Sequence, residues 1–414
     1  MQIKKDRFDL YILLLLLSVW QMQTFGANTR ILVSICCGVV VLLDVVIKGK
    51  VAKYPTKMLL PLILIVLVGS ISALYGSDII PLHNYLRDIY YILPVCLMFY
   101  HGYILSTKHS KKEVGSVIVW ANVIATIDHF AKVLRNINYI TNLNYLRNEC
   151  GAISHLNTIA LVLVLFGDEY ISERIKKHRL FLILSFALSE VLYFTRTGIL
   201  ALVIFVLIVY VMKFRSMIKR AVKFASVMLI CIVTVYYVNP SIVDSFIEKI
   251  NYSLIEIGMK ENRATSASDM MFREREIVQV KKEFEEGNAI NKVIGYGIGH
   301  NVKLGESGYR IIIDGEEFTE AGMIHNGYYK ALSIAGVIGL VLFVFFHTNI
   351  IAYAWHNRTN MSDVNYRLII SSVIVLLITA YTVIGIYAKG SNYPYIIALT
   401  VFIYGKAKIQ EECL

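Results

Sequence analysis

Long apolar blocks separated by short polar connections make up most of the chain, and residues 10–20, 58–69 and 199–212 are typical of them. A helix needs about 20 mostly apolar residues to cross a bilayer. The pattern therefore predicts an all-α fold, a polytopic transmembrane bundle of about 12 helices. The predicted spans are 9–26, 31–48, 57–75, 86–106, 113–131, 154–171, 179–194, 197–213, 221–238, 327–349, 367–388 and 393–405.

One connection is much longer than the others. Residues 239–324 form a polar segment of 86 residues, which separates nine predicted spans in 1–238 from three in 325–414. A connection of this length is usually functional or disordered. The apolar residues Ile277, Val280 and Phe284 recur at helical spacing, so a helix is predicted over 272–286 within this large extracytoplasmic loop.

Composition excludes other classes of protein. Apolar residues make up 57% of the chain and charged residues 17%, against about 25% charged in soluble domains. A soluble enzyme, a secreted disulfide scaffold and a nucleic-acid-binding domain are all inconsistent with this pattern. The first apolar block has no small-residue cleavage site after it, so we interpret it as a retained helix and not a signal peptide.

The distribution of basic residues predicts the orientation in the membrane. With the N-terminus in the cytoplasm, the inner segments hold 22 lysine and arginine residues and the short outer loops hold seven. Basic residues in short loops mark the cytoplasmic side. We therefore expect a multi-pass protein of a bacterial cytoplasmic membrane, with both termini inside and 239–324 outside.

Several outer arginines are candidates for binding an anionic group. Arg196 lies in a very short hairpin between two apolar helices, where the alternative is an interfacial arginine that snorkels to lipid headgroups. On the helix 272–286, Arg273 falls within the apolar stripe and Arg275 on the opposite, solvated face. Of these two residues we expect Arg273 to bind the anionic group. The alternative is that Arg273 forms a salt bridge with a carboxylate of the loop.

Two further arginines lie in outer segments. Arg147 is a candidate in the loop 132–153, although a lone basic loop residue is most often solvated. Arg87 more simply pairs with Asp88 or marks the interface.

His325 is the candidate general base. It opens the apolar helix predicted over 325–346, and the positive end of a helix dipole disfavours a charged imidazole. A neutral imidazole is what a general base requires. The alternative is a histidine that caps the helix or forms an interfacial hydrogen bond. The glycines of 295–301 predict a tight turn, since no Lys-Ser/Thr pair follows as in a phosphate loop.

Acidic residues also occur inside or near the ends of predicted spans. Asp44, Asp128 and Glu190 are of this kind, and ionisable residues within membranes are often functional. Because of these residues, a proton-coupled transporter is an alternative function. A transporter often has an internal repeat and a midplane site, whereas this chain shows no repeat and has its arginines at the outer edge.

Three segments together resemble the bacterial O-antigen polymerase and O-antigen ligase family of polytopic membrane glycosyltransferases. The first contains Arg147, Gly151, His155 and Asn157, and the second is Thr-Arg-Thr-Gly at 195–198. The third extends from Arg273 through the glycine turn to His325 and Asn326, and then into a helix with Gly336 and Gly339. The resemblance covers roughly residues 140–345.

The resemblance implies transfer of a glycan from polyprenyl diphosphate to a sugar hydroxyl outside the cytoplasmic membrane. Arg196, Arg273 and Arg147 would bind the diphosphate, His325 would deprotonate the acceptor, and Asn326 and Asn157 would support the site. No metal or cofactor is then expected. The partners implied are the lipid-linked oligosaccharide donor, a glycan acceptor and the bilayer, with a flippase and a chain-length regulator as possible protein partners and no nucleic acid.

Within that family we favour a polymerase of surface polysaccharide, such as O-antigen, capsule or exopolysaccharide. The alternatives are a ligase that moves finished glycan to a terminal acceptor and, from another class, a lipid-linked sugar flippase or transporter.

Overall fold

A computed structural model describes residues 27–48, 52–75, 80–139, 149–150, 154–193, 196–211, 272–304, 311–313, 316–322, 324–382, 385–387 and 393–405, with isolated positions between 222 and 251. The predicted span 9–26 lies outside these residues. The predicted span 221–238 is described only at isolated helical positions.

The described residues are mainly helical, as the apolar blocks predict. The helices are α1 (Ala27–Lys48), α2 (Lys53–Tyr75), α3 (Leu82–Lys108), α4 (Lys111–Arg135), α5 (Ser154–Phe166), α6 (Glu173–Lys177), α7 (Arg179–Tyr193), α8 (Arg196–Val211), α9 (Phe272–Glu286), α10 (Ala289–Ile294), α11 (Gly327–His356), α12 (Asp363–Thr382) and α13 (Tyr393–Tyr404). Short 3-10 turns lie at Ile137–Tyr139 and Gly385–Tyr387.

Among the described helices, α2, α3, α4, α11 and α12 are long and apolar enough to cross a membrane, and four shorter helices are also apolar. Large apolar side chains such as Leu67, Leu74 and Val341 lie exposed on the bundle surface. Exposure of this kind is expected where helices face lipid. A polytopic helical architecture is confirmed in this coarse form, and the count of twelve spans stays a prediction.

The long connection contains α9 over the predicted range 272–286, and α10 after it. It also contains four short strands that the sequence pattern does not predict. They are β1 (Val302–Lys303), β2 (Ile311–Ile313), β3 (Glu316–Phe318) and β4 (Glu320–Ala321), and β1 pairs antiparallel with β4 and β2 with β3.

Different elements and contacts lie at the two ends of the bundle. At one end, Lys111 forms an ion pair with Glu169, and Ser362 Oγ donates to Glu169 Oε1 over 2.6 Å. At the other end α2 terminates, α3 and α11 begin, and the glycine-rich segment 295–301 packs against them. We call this second end the loop end, and it contains the candidate site.

The helix α11 is broken near the loop end. Ala335 (φ −135°, ψ 21°) and Gly336 (φ 62°, ψ −154°) leave the helical region, and the latter conformation is essentially restricted to glycine. The break frees the carbonyl groups of Ser333 and Ile334. They accept hydrogen bonds from the backbone N–H groups of Tyr296 (2.8 Å) and Gly297 (3.1 Å).

The glycine-rich segment is inserted between this break and α2. The N–H of Ile298 donates to Gly69 O over 3.0 Å, and Ser72 Oγ donates to Gly295 O over 2.6 Å. Gly297 has a φ of 99°, and a Cβ at this position would lie 2.5 Å from the backbone nitrogen of Ala73. The predicted tight turn is therefore confirmed. Its N–H groups bond to protein acceptors and are not arranged to cradle a phosphate.

Candidate functional site

The candidate site is centred on the pairing of His325 with Glu276 at the loop end. His325 Nδ1 lies 3.0 Å and 3.2 Å from the two oxygens of the Glu276 carboxylate. The backbone N–H of His325 donates to the same carboxylate over 2.8 Å. The Glu276 side chain is 1% exposed, whereas that of His325 is 27% exposed. A buried acceptor thus holds a histidine that solvent and ligands can reach.

This contact fixes which imidazole nitrogen carries the proton. A carboxylate only accepts hydrogen bonds, so the proton of a neutral imidazole stays on Nδ1. Nε2 then presents its lone pair away from Glu276. An imidazole oriented in this way is suited to accept a proton from a hydroxyl group.

Asn326 caps the helix that follows. Its Oδ1 accepts from the N–H groups of Tyr328 (3.0 Å) and Tyr329 (3.2 Å), and its Nδ2 donates to Tyr381 O over 3.0 Å. The helix therefore begins at Gly327 and not at His325. Because Asn326 satisfies these helical N–H groups, His325 does not serve as the cap and its side chain remains available to Glu276.

The position of α9 beside α11 depends on a small apolar cluster. Val280, Val302 and Ile324 are each at most 2% exposed, and Tyr329 and Leu332 pack against them. This cluster lies one helical turn beyond Glu276 along α9. By packing α9 against the start of α11, this cluster keeps the Glu276 carboxylate of the loop next to His325, which lies just before α11.

A buried charge cluster anchors the glycine-rich segment next to the site. The Asp88 carboxylate is fully buried and accepts from three donors, Lys330 Nζ (2.8 Å), Gly299 N (2.9 Å) and Arg87 Nε (3.0 Å). The pairing of Arg87 with Asp88 confirms the sequence-based interpretation of Arg87. Lys330 lies one turn into α11, so the cluster joins α3, the glycine turn and the helix that follows His325.

The three predicted diphosphate-binding arginines stay predictions. Arg147 lies outside the described residues. Arg196 is the first residue of α8 and Arg273 lies in the first turn of α9, and the side chains of both lie outside the description. The backbone therefore places Arg196 and Arg273 at the starts of their helices, and the contacts of their side chains stay predictions.

The assignment of Arg275 to a solvated helix face is wrong. Arg275 is 4% exposed and the adjacent Glu276 is 1% exposed. The periodicity argument assumes that a surface helix is covered on a single face. Arg275 and Glu276, adjacent in the sequence, are instead both buried, and α9 contacts α10, α11 and β1.

Asn157, predicted as a supporting residue, lies in a buried polar cluster of the helical bundle. Its Oδ1 accepts from Asn122 Nδ2 over 2.9 Å, and its Nδ2 donates to Phe186 O over 2.9 Å and to Glu190 Oε2 over 2.5 Å. These bonds join α4, α5 and α7. The described contacts of Asn157 are thus with neighbouring helices and not with His325.

The acidic residues of the predicted spans have partners. Asp44 Oδ1 lies 3.7 Å from Lys108 Nζ, Asp128 Oδ2 lies 2.7 Å from Lys132 Nζ, and Glu190 bonds to Asn157. These pairings give each of the three residues a structural role in the bundle.

Sequence reasoning missed Glu276 and Lys330. Glu276 lies four residues before Val280, so it belongs on the packing side of α9, and this spacing was the available signal. Lys330 has no such signal, because its partner Asp88 is 242 residues away in the chain. Their roles depend on contacts between distant segments.

The described helices and the site at their loop end define a multi-pass helical membrane protein with a histidine–carboxylate pair. A family model described as O-antigen ligase matches residues 180–344, about two fifths of the chain. The match includes the Arg196, Arg273 and His325 positions. It confirms, over this segment, the predicted resemblance to the O-antigen ligase and polymerase family. No curated protein matches the chain.

Proposed function

We propose that the chain is a surface-polysaccharide polymerase, which joins lipid-linked repeat units at the outer face of a bacterial cytoplasmic membrane. The family match indicates an O-antigen ligase or polymerase type of function. The observation that carries the proposal is the His325–Glu276 pair, since a carboxylate-held imidazole at the end of a membrane helix suits deprotonation of a sugar hydroxyl.

The proposed step is a single displacement at the anomeric carbon of the donor. The acceptor hydroxyl gives its proton to His325 Nε2 as its oxygen bonds to the anomeric carbon. The bond from that carbon to the diphosphate oxygen breaks, and polyprenyl diphosphate leaves with the electron pair. Glu276 holds the imidazole and stabilises the imidazolium that forms, through its bond to Nδ1.

Arg196, Arg273 and Arg147 are proposed to bind the leaving diphosphate. The fork of donors on a guanidinium matches phosphate oxygens and often binds them in bidentate fashion. Positive charge placed there stabilises the negative charge that develops as the glycosidic bond breaks. Donor, acceptor and bilayer are the essential partners in this proposal, and a flippase and a chain-length regulator are proposed as further partners.

The alternative is a ligase that transfers finished glycan to a terminal acceptor, which the description of the matching family model favours. The two activities leave different products when the enzyme is inactive. A strain without this chain is complemented with His325→Ala, Arg196→Ala or Arg273→Ala, and its glycans are separated by length. The controls are His356→Ala and Arg358→Ala, which change exposed residues at the opposite end of α11.

The variants must first be shown to reach the membrane in equal amounts. If the chain is a polymerase, the three site variants are then expected to leave only single repeat units, and the controls are expected to make normal polymer. Long polymer that stays on the lipid carrier identifies a ligase. Normal polysaccharide in all three variants rejects the site and favours a transporter.

A further inference from the structure

A polar cleft opens at the loop end, and Glu283 of α9 is among its lining residues. Its volume is about 580 Å³, and its walls come from α2, the start of α3, α10, the glycine-rich segment and the β1–β4 pair. Small-molecule sites usually occupy about 300–1,000 Å³. The cleft therefore has room for a short oligosaccharide segment.

Seven of the fifteen lining residues have amide or hydroxyl side chains, which can bind hydroxyl groups. Asparagine side chains contribute both amide donors and carbonyl acceptors. The lining residues with amide or hydroxyl side chains are Ser72, Tyr75, Asn84, Asn288, Asn291, Tyr296 and Asn301.

Aromatic faces complete the lining. The rings of Tyr296 and His300 stack with centroids 4.8 Å apart and planes inclined by 20°. Tyr75 is 77% exposed at the end of α2. Flat faces beside amide and hydroxyl groups suit sugar rings, which present C–H faces and hydroxyl edges.

Charged side chains of both signs line the cleft. His300 Nε2 lies 3.0 Å from Glu283 Oε2, and Lys303 is opposite Glu320 across the β1–β4 pair. Because positive and negative side chains occur together, the cleft gives a diphosphate no special advantage. A neutral, polyhydroxylated ligand is favoured instead.

The cleft and the proposed catalytic pair share one helix. Glu276 and Glu283 are seven residues apart on α9, so they lie on the same face about 10 Å from one another. Glu276 holds His325, whereas Glu283 bonds to His300 and accepts from Lys303 N over 3.3 Å. The buried cluster of Val280, Val302 and Ile324 packs between these two carboxylates, so the cleft is a separate site about two helical turns from the proposed catalytic pair.

We propose that this cleft is a saccharide-binding site, which holds sugar residues of the glycan about two helical turns along α9 from the proposed catalytic pair. The inference rests on the proposed function for the identity of its ligand. It adds a second binding site that lies outside the diphosphate and proton-transfer site.

The test measures saccharide binding separately from transfer. The probe is a set of oligosaccharides prepared by acid hydrolysis of the surface polysaccharide of the source strain. Full-length protein in detergent is titrated with this probe, and binding is followed by saturation-transfer NMR. Tyr75→Ala and His300→Gln are expected to weaken binding at least tenfold, whereas His325→Ala retains binding in the cleft. Tyr75 is largely exposed, so its replacement leaves the fold intact.

The matched control is Tyr139→Ala, which removes a half-exposed tyrosine of a different segment and is expected to bind like wild type. Cleft variants that bind like wild type, or wild-type protein that binds no oligosaccharide, overturn the proposal. Competition by inorganic diphosphate overturns the sugar assignment. Failure of the proposed function is a separate result, namely normal polymer length in the His325→Ala strain.

Discussion

Asp88 and Lys330 form a buried ion pair between residues 242 positions apart in the chain. Lys330 Nζ lies 2.8 Å from Asp88 Oδ2, and neither side chain is more than 3% exposed. The pair joins the start of α3 to the first turn of α11. Two further donors, Arg87 Nε and Gly299 N, reach the same carboxylate.

Asp88 has three described donors, whereas Lys330 has two described acceptors. Replacing Asp88 and replacing Lys330 should therefore lower stability by different amounts. Asp88→Leu leaves Lys330 with only the carbonyl of Gly322, 2.9 Å away, among its described partners. Breaking a buried pair in this way costs about 3–5 kcal/mol. Lys330→Met is expected to cost less, since Asp88 keeps Arg87 and Gly299.

Apparent melting temperatures of the purified variants in detergent check this order. Lys112→Met, which breaks an exposed pair with Glu173, serves as the control and should leave the melting temperature unchanged. Equal losses for Asp88→Leu and Lys330→Met would contradict the three-donor arrangement.

The pair of His325 and Glu276 predicts graded losses of catalysis. His325→Ala removes the proposed base and is expected to lower kcat by about 10²–10⁴-fold. Glu276→Gln is expected to lower kcat by a smaller factor, because the imidazole remains but loses a buried charged acceptor. The assay measures glycan transfer between purified lipid-linked repeat units over a range of acceptor concentrations.

The kinetic pattern distinguishes this role from substrate binding. Loss of a group that acts only in the transition state lowers kcat with little change in KM. Glu285→Gln changes an exposed carboxylate of the same helix and should retain full activity. A Glu276→Gln variant with wild-type kcat would remove Glu276 from the mechanism.

The backbone of the glycine turn predicts that Gly297 cannot carry a side chain. Gly297→Ala forces a left-handed conformation that costs about 1–2 kcal/mol for an L-residue. It also places Cβ 2.5 Å from Ala73 N, in contact with backbone that cannot easily move. Gly38→Ala is the matched control, because its Cβ would meet only the Leu97 side chain, at 3.3 Å. Size-exclusion profiles of fluorescently tagged variants should show loss of folded protein for Gly297→Ala alone.

The bonds of Asn157 predict a structural effect of its replacement. Asn157→Ala leaves the buried Asn122 amide and Glu190 carboxyl without the bonds described above, at about 1–3 kcal/mol for each group. The melting temperature is expected to fall, and activity per folded molecule should be largely kept. Asn360→Ala, in an exposed turn, is the control. Lost activity at an unchanged melting temperature would instead assign Asn157 to the substrate site.

Arg275 and Lys282 test the corrected burial of α9. Arg275→Gln removes a side chain that is 4% exposed, whereas Lys282→Gln changes an exposed one. We expect Arg275→Gln to lower stability by about 1–3 kcal/mol, because the buried guanidinium has interactions that its replacement removes. Thermal denaturation of both variants measures the difference. Equal melting temperatures would mean that Arg275 contributes nothing through its burial.

Local signals account for most of what the sequence predicts correctly. The spans predicted at 57–75 and 113–131 correspond to α2 (Lys53–Tyr75) and α4 (Lys111–Arg135), because long apolar runs specify helices. The ends extend further than the apolar runs since polar groups form the caps. Ser110, for example, accepts from Glu113 N over 3.2 Å and starts α4.

Contacts between distant segments account for what the sequence did not predict. The break at Ala335 and Gly336 is filled by N–H groups about 40 residues earlier in the chain. The burial of Glu276 depends on His325, 49 residues later. The burial of Arg275 could not be predicted from periodicity, because periodicity identifies one packing face and gives no sign that a residue outside that face is also buried. The sequence identifies His325 by its place at the start of the predicted apolar helix 325–346, although that helix begins at Gly327.

The broken helix α11 has a consequence for how the protein is made. Its free carbonyls at Ser333 and Ile334 bond to Tyr296 and Gly297, and the neighbouring Ile298 bonds to Gly69 of α2, more than 200 residues earlier. The three segments that bond to one another, α2, the glycine-rich segment and α11, are therefore synthesised at three separate times. After α2 has been synthesised, the glycine-rich segment of the loop and then α11 must still follow before these backbone groups are satisfied. A chain severed within that loop should be degraded by membrane quality control before it reaches any substrate.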